Sequence, residues 1–126
     1  MTLEKILQSQ GFGSRKQCRQ LIWDGQVSVA GRLITDSDED LTCEGLVFSV
    51  GGKEWAFRQQ LYIALHKPSD YECSRKPSHH PGILTLLPQE YVNRNIQPVG
   101  RLDHGTTGLL LLSDDGGFIH AQSSPK

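Results

Sequence analysis

A chain of 126 residues with a formal net charge of −1 fits one ordinary domain or two small ones, and its overall charge selects no partner. Its three cysteines stand far apart without a C-x-x-C pair, so neither a disulfide framework nor a zinc site is signalled. No apolar h-region opens the chain and no apolar run approaches a membrane span, which together point to a reducing cytoplasm.

The charge is uneven along the chain. Residues 1–32 carry Lys5, Arg15, Lys16, Arg19 and Arg32 against only Glu4 and Asp24. Residues 33–54 reverse this, with Lys53 against Asp36, Asp38, Glu39, Asp40, Glu44 and Glu54. The basic excess is therefore local and N-terminal.

Leu3, Ile6 and Leu7 repeat at helical spacing until Gly11. Ser14 then has the character of an N-cap, with Gln17 placed to complete a capping box. Cys18, Leu21 and Ile22 form the apolar face of this second helix, which Gly25 ends. Arg15, Lys16 and Arg19 project from its other side as a basic face. Val27 and Val29 alternate as a strand, Ala30-Gly31 turns it, and Leu33-Ile34 returns. By charge pattern alone the three cations are an ordinary solvated face. The order of these elements, with Ser14-Arg15, Leu21-Ile22, Gly25, Val27, Val29 and Gly31, resembles the S4 RNA-binding domain. The resemblance implies that Arg15, Lys16 and Arg19 contact RNA phosphates, contacts that position a protein and read little sequence. Ala30-Gly31 stands where that family often has Asn-Gly.

The acidic segment from Asp36 to Glu44 reads as a surface loop. Leu46 to Val50 reads as a closing strand before a Gly51-Gly52 turn, and the polar residues 53–60 as a linker. A second apolar run, Leu61 to Leu65, is a strand that His66-Lys67-Pro68 ends. A basic, Pro- and His-rich loop follows from Arg75 to Gly82, then a short apolar patch, Ile83 to Leu87, stopped by Pro88.

Ile96-Gln97-Pro98-Val99 leads into Gly100-Arg101-Leu102-Asp103-His104-Gly105-Thr106-Thr107-Gly108, and Leu109 to Leu112 follows at once. A tight polar loop before a buried strand is the simplest reading. Such a loop either holds Asp103 towards a cleft or is a turn whose Asp bonds backbone amides. Ser113 to Gly117 then turns the chain, a short helix begins at Phe118, and Ser123-Ser124-Pro125-Lys126 ends it.

Gly100-Arg101-Leu102-Asp103, then Thr106-Thr107-Gly108-Leu109-Leu110-Leu111-Leu112, then Asp115-Gly116, resembles the catalytic motif of the pseudouridine synthases, and most closely the RsuA-like enzymes of small-subunit ribosomal RNA. The strand before Lys67-Pro68, and Cys73-Ser74 after it, resemble the first motif of the same catalytic domain. His66 and Asp70 stand where that family usually has Asn and Gly. The resemblance implies that Asp103 is the catalytic residue, acting as nucleophile or base without metal or cofactor. That role needs an ionised carboxylate in a partly dry pocket. Arg101 is placed to stabilise the charge, contact a phosphate or fill space left by the flipped base. Lys67 supports the loop, touches RNA or is an exposed residue without a role. Gly100, Thr106, Thr107 and Gly108 support the loop through the backbone.

The five histidines are scattered, and none has metal-ligand spacing. His79-His80 reads as part of a solvated loop, and Asp114-Asp115 as a turn rather than a divalent-ion pair. The expected fold is α+β. It comprises an S4-like helix-helix-hairpin module over residues 1–58 and the first part of a mixed or antiparallel synthase sheet over residues 59–126. The expected partner is ribosomal RNA, of 16S type, in a bacterial cytoplasm. The family's catalytic domain extends well past the Ser-Pro-Lys segment. The alternative expectation is therefore a catalytically inactive RNA-binding fragment.

Overall fold

Thr2 and Ser14 begin the first two helices, and each does so by supplying an oxygen to a backbone amide that lacks a helical partner. In the computed structural model, which describes residues 1–73, 80–100 and 102–123, the Thr2 side chain accepts from Lys5 N at the start of α1, Leu3–Ser9. Ser14 and Gln17 form the expected reciprocal capping box at the start of α2, Arg15–Trp23. Gln17 N donates to Ser14 Oγ at 3.2 Å, and Ser14 N donates to Gln17 Oε1 at 2.8 Å. Gly13 makes the box possible: a Cβ there would lie 2.5 Å from Gln17 Oε1, and its φ of +125° is one that side chains disfavour.

The chain folds as two units, Met1–Gln59 and Gln60–Lys126. In the first, β1 (Val27–Val29), β2 (Arg32–Leu33), β3 (Val47–Val50) and β4 (Lys53–Ala56) form an antiparallel sheet in the order β2-β1-β3-β4. Leu3, Leu7, Cys18, Ile22, Val27, Ile34 and Phe48 are its buried core. Phe12 packs edge-on against Phe48 and Trp55, with ring centroids 5.7 and 5.3 Å apart.

The polar reading of residues 53–60 as a linker is corrected. Lys53 to Ala56 pairs with β3, and Trp55 and Phe57, two residues apart, pack against the core. The acidic segment is a loop, and its backbone completes the start of α1. Glu39 O accepts from Leu3 N at 2.9 Å, and Ser37 O accepts from Glu4 N at 3.1 Å.

The β1–β2 turn places both central residues at positive φ, Ala30 at 51° and Gly31 at 75°. Two-residue hairpins favour this geometry, and Asn fits its first position far better than Ala. Ala30→Asn should therefore stabilise the first unit by about 0.5–1 kcal/mol. An unchanged or lower urea midpoint would show that the turn carries no such strain.

In the second unit, β5 (Tyr62–Lys67), β6 (Gln97–Val99) and β7 (Gly108–Ser113) form an antiparallel sheet in the order β5-β7-β6. β5 runs through His66 and Lys67 rather than ending there, since both pair with β7. A 3-10 turn, Ile83–Leu86, and the short α3, Gln89–Val92, connect towards β6. α4 spans Gly116–Ser123, so Gly116 and Gly117 are its first residues rather than a turn before it. Residues 124–126 lie outside the described residues, as do Ser74 of the Cys73-Ser74 pair and residues 75–79 of the basic loop.

The core here is Leu61, Cys73, Ile83, Ile96, Leu110 and Leu112. The expected strand over Leu109–Leu112 is present, but only one of its faces is buried. Leu110 and Leu112 face the core, whereas Leu109 is 68% and Leu111 40% exposed. A strand alternates its side chains, so a run of four leucines places two on each face.

Asp114 and Asp115 anchor this unit. Asp114 accepts from Leu61 N at 2.7 Å and from Arg94 at 2.9 and 3.0 Å, in a largely buried ion pair. Asp115 accepts from Tyr62 OH at 2.5 Å and from Phe118 N at 3.2 Å, at the start of α4. The Tyr62 phenol is the largest of the causes that hold the Asp115 carboxyl below its ordinary range.

Candidate active site

The polar loop lies between β6 and β7, and two glycines define its ends. Gly100 leaves β6 at φ +82°, and Gly108 enters β7 at φ +147°. Thr106 N donates to Asp103 O at 2.9 Å, which closes a turn over Asp103, His104 and Gly105. Leu102 is half-buried and packs against the second core.

The carbonyl oxygens of residues 102 to 106 each accept a hydrogen bond. Cys73 Sγ donates to Leu102 O at 3.2 Å and accepts from Leu102 N at 3.4 Å. Asp103 O takes Thr106 N. His104 O takes Lys67 Nζ at 2.8 Å and Asp70 N at 2.6 Å. Gly105 O takes Ser69 Oγ at 3.5 Å, at the limit of a hydrogen bond, and Thr106 O takes Lys67 Nζ at 2.8 Å. The His104 ring stacks on His80, with centroids 4.2 Å apart and an interplanar angle of 15°. The backbone is thus held on both sides of Asp103 while its side chain is exposed, so the described residues do not form the expected partly dry pocket around it. A fixed backbone under a free carboxylate is a preorganised arrangement for chemistry on an approaching substrate.

Lys67 is the centre of this arrangement and is fully buried. Its ammonium donates to Pro68 O at 3.0 Å as well as to His104 O and Thr106 O. This corrects the reading of Lys67 as an exposed residue, and its three donors face loop carbonyls rather than the surface. Its position on β5 opposite Gly108 directs the chain under the loop. Asp70 has a φ of 66°, so the position at which a glycine is usual adopts the left-handed conformation that glycine enters freely. Aspartate is among the few other residues that tolerate it.

Of the loop-supporting residues read from sequence, Gly100 and Gly108 take glycine conformations and Thr106 bonds through its backbone. Thr107 is exposed. Arg101 lies outside the described residues. His80, Ser69 and Asp70 have no motif of their own, and only their position after Lys67-Pro68 pointed towards the loop.

The first unit carries the second group of predicted residues. Arg15 and Arg19 both converge on the Glu4 carboxylate of α1. Arg15 Nε bonds Glu4 Oε1, and Arg19 Nη2 reaches the same oxygen at 2.8 Å. The Glu4 side chain is 3% exposed. Arg19, then Arg15, hold its carboxyl below the ordinary glutamate value of 4.5, against the opposing effect of burial. The basic face is therefore weaker in charge than its three cations suggest, although Lys16 is exposed.

A lowered folded pKa means that the Glu4 contribution is present above the unfolded value and is lost as pH falls through the folded one. The first unit should therefore lose stability below about pH 4.5. Glu4→Gln should lower stability at pH 7 and flatten that acid decline, as read from urea midpoints between pH 3 and 7. Parallel parent and variant curves would exclude the ion pair as the cause.

Among the described residues, no helix is long and apolar enough to cross a membrane. The model of an RNA pseudouridylate synthase family matches residues 61–124, and that of the S4 domain matches residues 1–47. A ribosomal small subunit pseudouridine synthase A of Vibrio parahaemolyticus serotype O3:K6 is 37% identical over 126 residues, 100% of this chain and 53% of that protein. An uncharacterized RNA pseudouridine synthase of Aquifex aeolicus (strain VF5) is 32% identical, again over 100% of this chain and 53% of that protein. A ribosomal large subunit pseudouridine synthase B of Bacillus subtilis (strain 168) is 31% identical over 98% of this chain and 50% of that protein. The chain thus spans about half the length of these relatives. With an S4 domain ahead of the synthase segment that contains the held Asp103 loop, the chain belongs to the RNA pseudouridylate synthase family.

Proposed function

We propose that this chain carries the RNA-binding module and the catalytic loop of a pseudouridine synthase acting on small-subunit ribosomal RNA, with Asp103 as its catalytic carboxylate. The reaction breaks the N-glycosidic bond of a uridine, turns the base and rejoins it to the ribose through carbon. Asp103 acts in it as nucleophile or base. The uridine must leave its stack to reach the carboxylate. The observation that carries the reading is the loop itself: the carbonyls of five consecutive residues are held while the Asp103 side chain stays exposed. Lys67 is a positioning residue here, and Arg15, Lys16 and Arg19 bring RNA phosphates to the first unit.

The small-subunit assignment rests on relatives named for that activity, such as that of Vibrio parahaemolyticus, while the Bacillus subtilis relative is named for the large subunit. Bacterial relatives and three free thiols, Cys18, Cys43 and Cys73, suit a reducing bacterial cytoplasm. A second reading is favoured by the exposed Leu109 and Leu111 of β7: the chain by itself binds RNA without turnover.

Release of tritium from RNA labelled at uridine C5 tests both readings, since the new bond to C5 displaces the hydrogen there. The assay compares 16S-type and 23S-type fragments, with this chain and with a longer polypeptide containing it. Release from 16S-type RNA by either protein supports the proposal. Release from neither RNA by the longer polypeptide would overturn it.

A further inference from the structure

The last residue of α2, Trp23, leaves 58% of its surface exposed. Tryptophan is the largest side chain, and such exposure leaves a broad ring face to solvent. Its setting is specific. Arg15, Arg19 and Trp23 follow one another at four-residue spacing, so they form a single ridge along the helix. That ridge runs beside the buried Cys18 and Ile22. The Arg19 guanidinium lies over the Trp23 ring, 5.9 Å from its centroid, while Nη2 of the same group is fixed 2.8 Å from the buried Glu4 carboxylate. The cation is thus tethered on one side and in contact with the ring on the other.

Resting on the reading that the α2 face binds RNA, we infer that Trp23 is a stacking site for one unpaired RNA base, set beside the phosphate-binding cations. Two features of RNA recognition meet here. Cations track the backbone, and an aromatic ring takes a base whose stacking partner has been lost. A paired duplex has its bases stacked internally and offers none to the ring. Trp23 therefore gives the S4 module a preference for RNA with an unpaired nucleotide. That preference does not come from phosphate contacts, which treat both RNAs alike. A ridge that begins with two guanidiniums favours RNA over an apolar protein partner, since charged residues are depleted at the centre of protein interfaces.

The test uses the full 126-residue chain and two RNA hairpins whose strands are joined by a non-nucleotide linker, one with a single bulged adenosine and one fully paired. Trp23→Ala should weaken binding of the bulged hairpin about tenfold, within the range of one lost base stack, and leave the paired hairpin unchanged. Trp23→Phe should retain most of the preference. The slope of log affinity against log salt should not change in either variant. With 2-aminopurine at the bulge, emission should fall on binding to the unaltered protein and recover in the complex with Trp23→Ala. The 2-aminopurine measurement on the unaltered protein stands even if the Ala variant does not fold.

Equal effects on both hairpins, a changed salt slope, or unaltered 2-aminopurine emission would each overturn the inference. Unchanged binding of both RNAs by Trp23→Ala would also overturn it, and would leave the ring to a protein partner. Failure of the underlying reading looks different. In that case, replacing Arg15, Lys16 and Arg19 together by Ala would leave both the affinity and the salt slope for the paired hairpin untouched.

Discussion

Asp103→Asn should reduce turnover by at least about three orders of magnitude, in whichever polypeptide containing this loop shows synthase activity. Asn keeps the size and most hydrogen bonds of the side chain and removes its negative charge. A nucleophile or base without its ionised oxygen cannot perform either role. The structure separates this effect from damage to the fold. Asp103 contributes to the turn through its backbone oxygen, which accepts Thr106 N, and that oxygen is unaffected by the substitution. The side chain is exposed, so the change in stability should stay within about 0.5 kcal/mol. RNA affinity should be retained, because the proposed phosphate contacts lie on α2. Tritium release, thermal melting and RNA affinity should therefore move independently. Turnover near that of the parent would remove Asp103 from the chemistry.

The elements that the sequence made legible are those written in adjacent residues. The Ser14–Gln17 capping box needs only two side chains three apart, and both bonds form. Gly25 and Ala30-Gly31 mark turns through local backbone preference, and their positive φ values follow. The Asp103 loop was visible because its glycines and threonines are contiguous. What was hidden depends on residues distant along the chain. Glu4 counted as one acid among few, yet it lies under two arginines 11 and 15 residues away. Lys67 has the composition of a surface residue, and only the return of residues 104–106 across β5 turns it into a buried donor. Residues 53–60 looked polar because Trp55 and Phe57 stand two apart among Lys53, Glu54 and Arg58, and that spacing has a meaning only once a partner strand is known. The four leucines of β7 failed as a buried run for the same reason: which face is covered is a tertiary fact.

Lys67→Met should destabilise the second unit by about 2–4 kcal/mol, because it removes the donor that three carbonyls share. Methionine has a similar length and fills the same space, so the loss is one of hydrogen bonding and charge rather than volume. The three acceptors fare differently. His104 O keeps Asp70 N, whereas Thr106 O and Pro68 O lose the ammonium that holds them. Lys67 is itself fully buried, and a carbonyl that loses such a donor forfeits a charge-assisted hydrogen bond, which is worth more than an ordinary one. For a unit of this size the melting transition should fall by about 10–20 °C. The loop should relax first, since Lys67 reaches both its middle and its end while Cys73 still grips Leu102. Turnover should fall more steeply than RNA affinity, as expected when a carboxylate is displaced rather than removed. Calorimetry on parent and variant measures the stability change, and amide exchange at Thr106 reports the loop. A melting transition within 2 °C of the parent, with Thr106 still protected, would mean that the carbonyls find other donors and that Lys67 does not hold the loop.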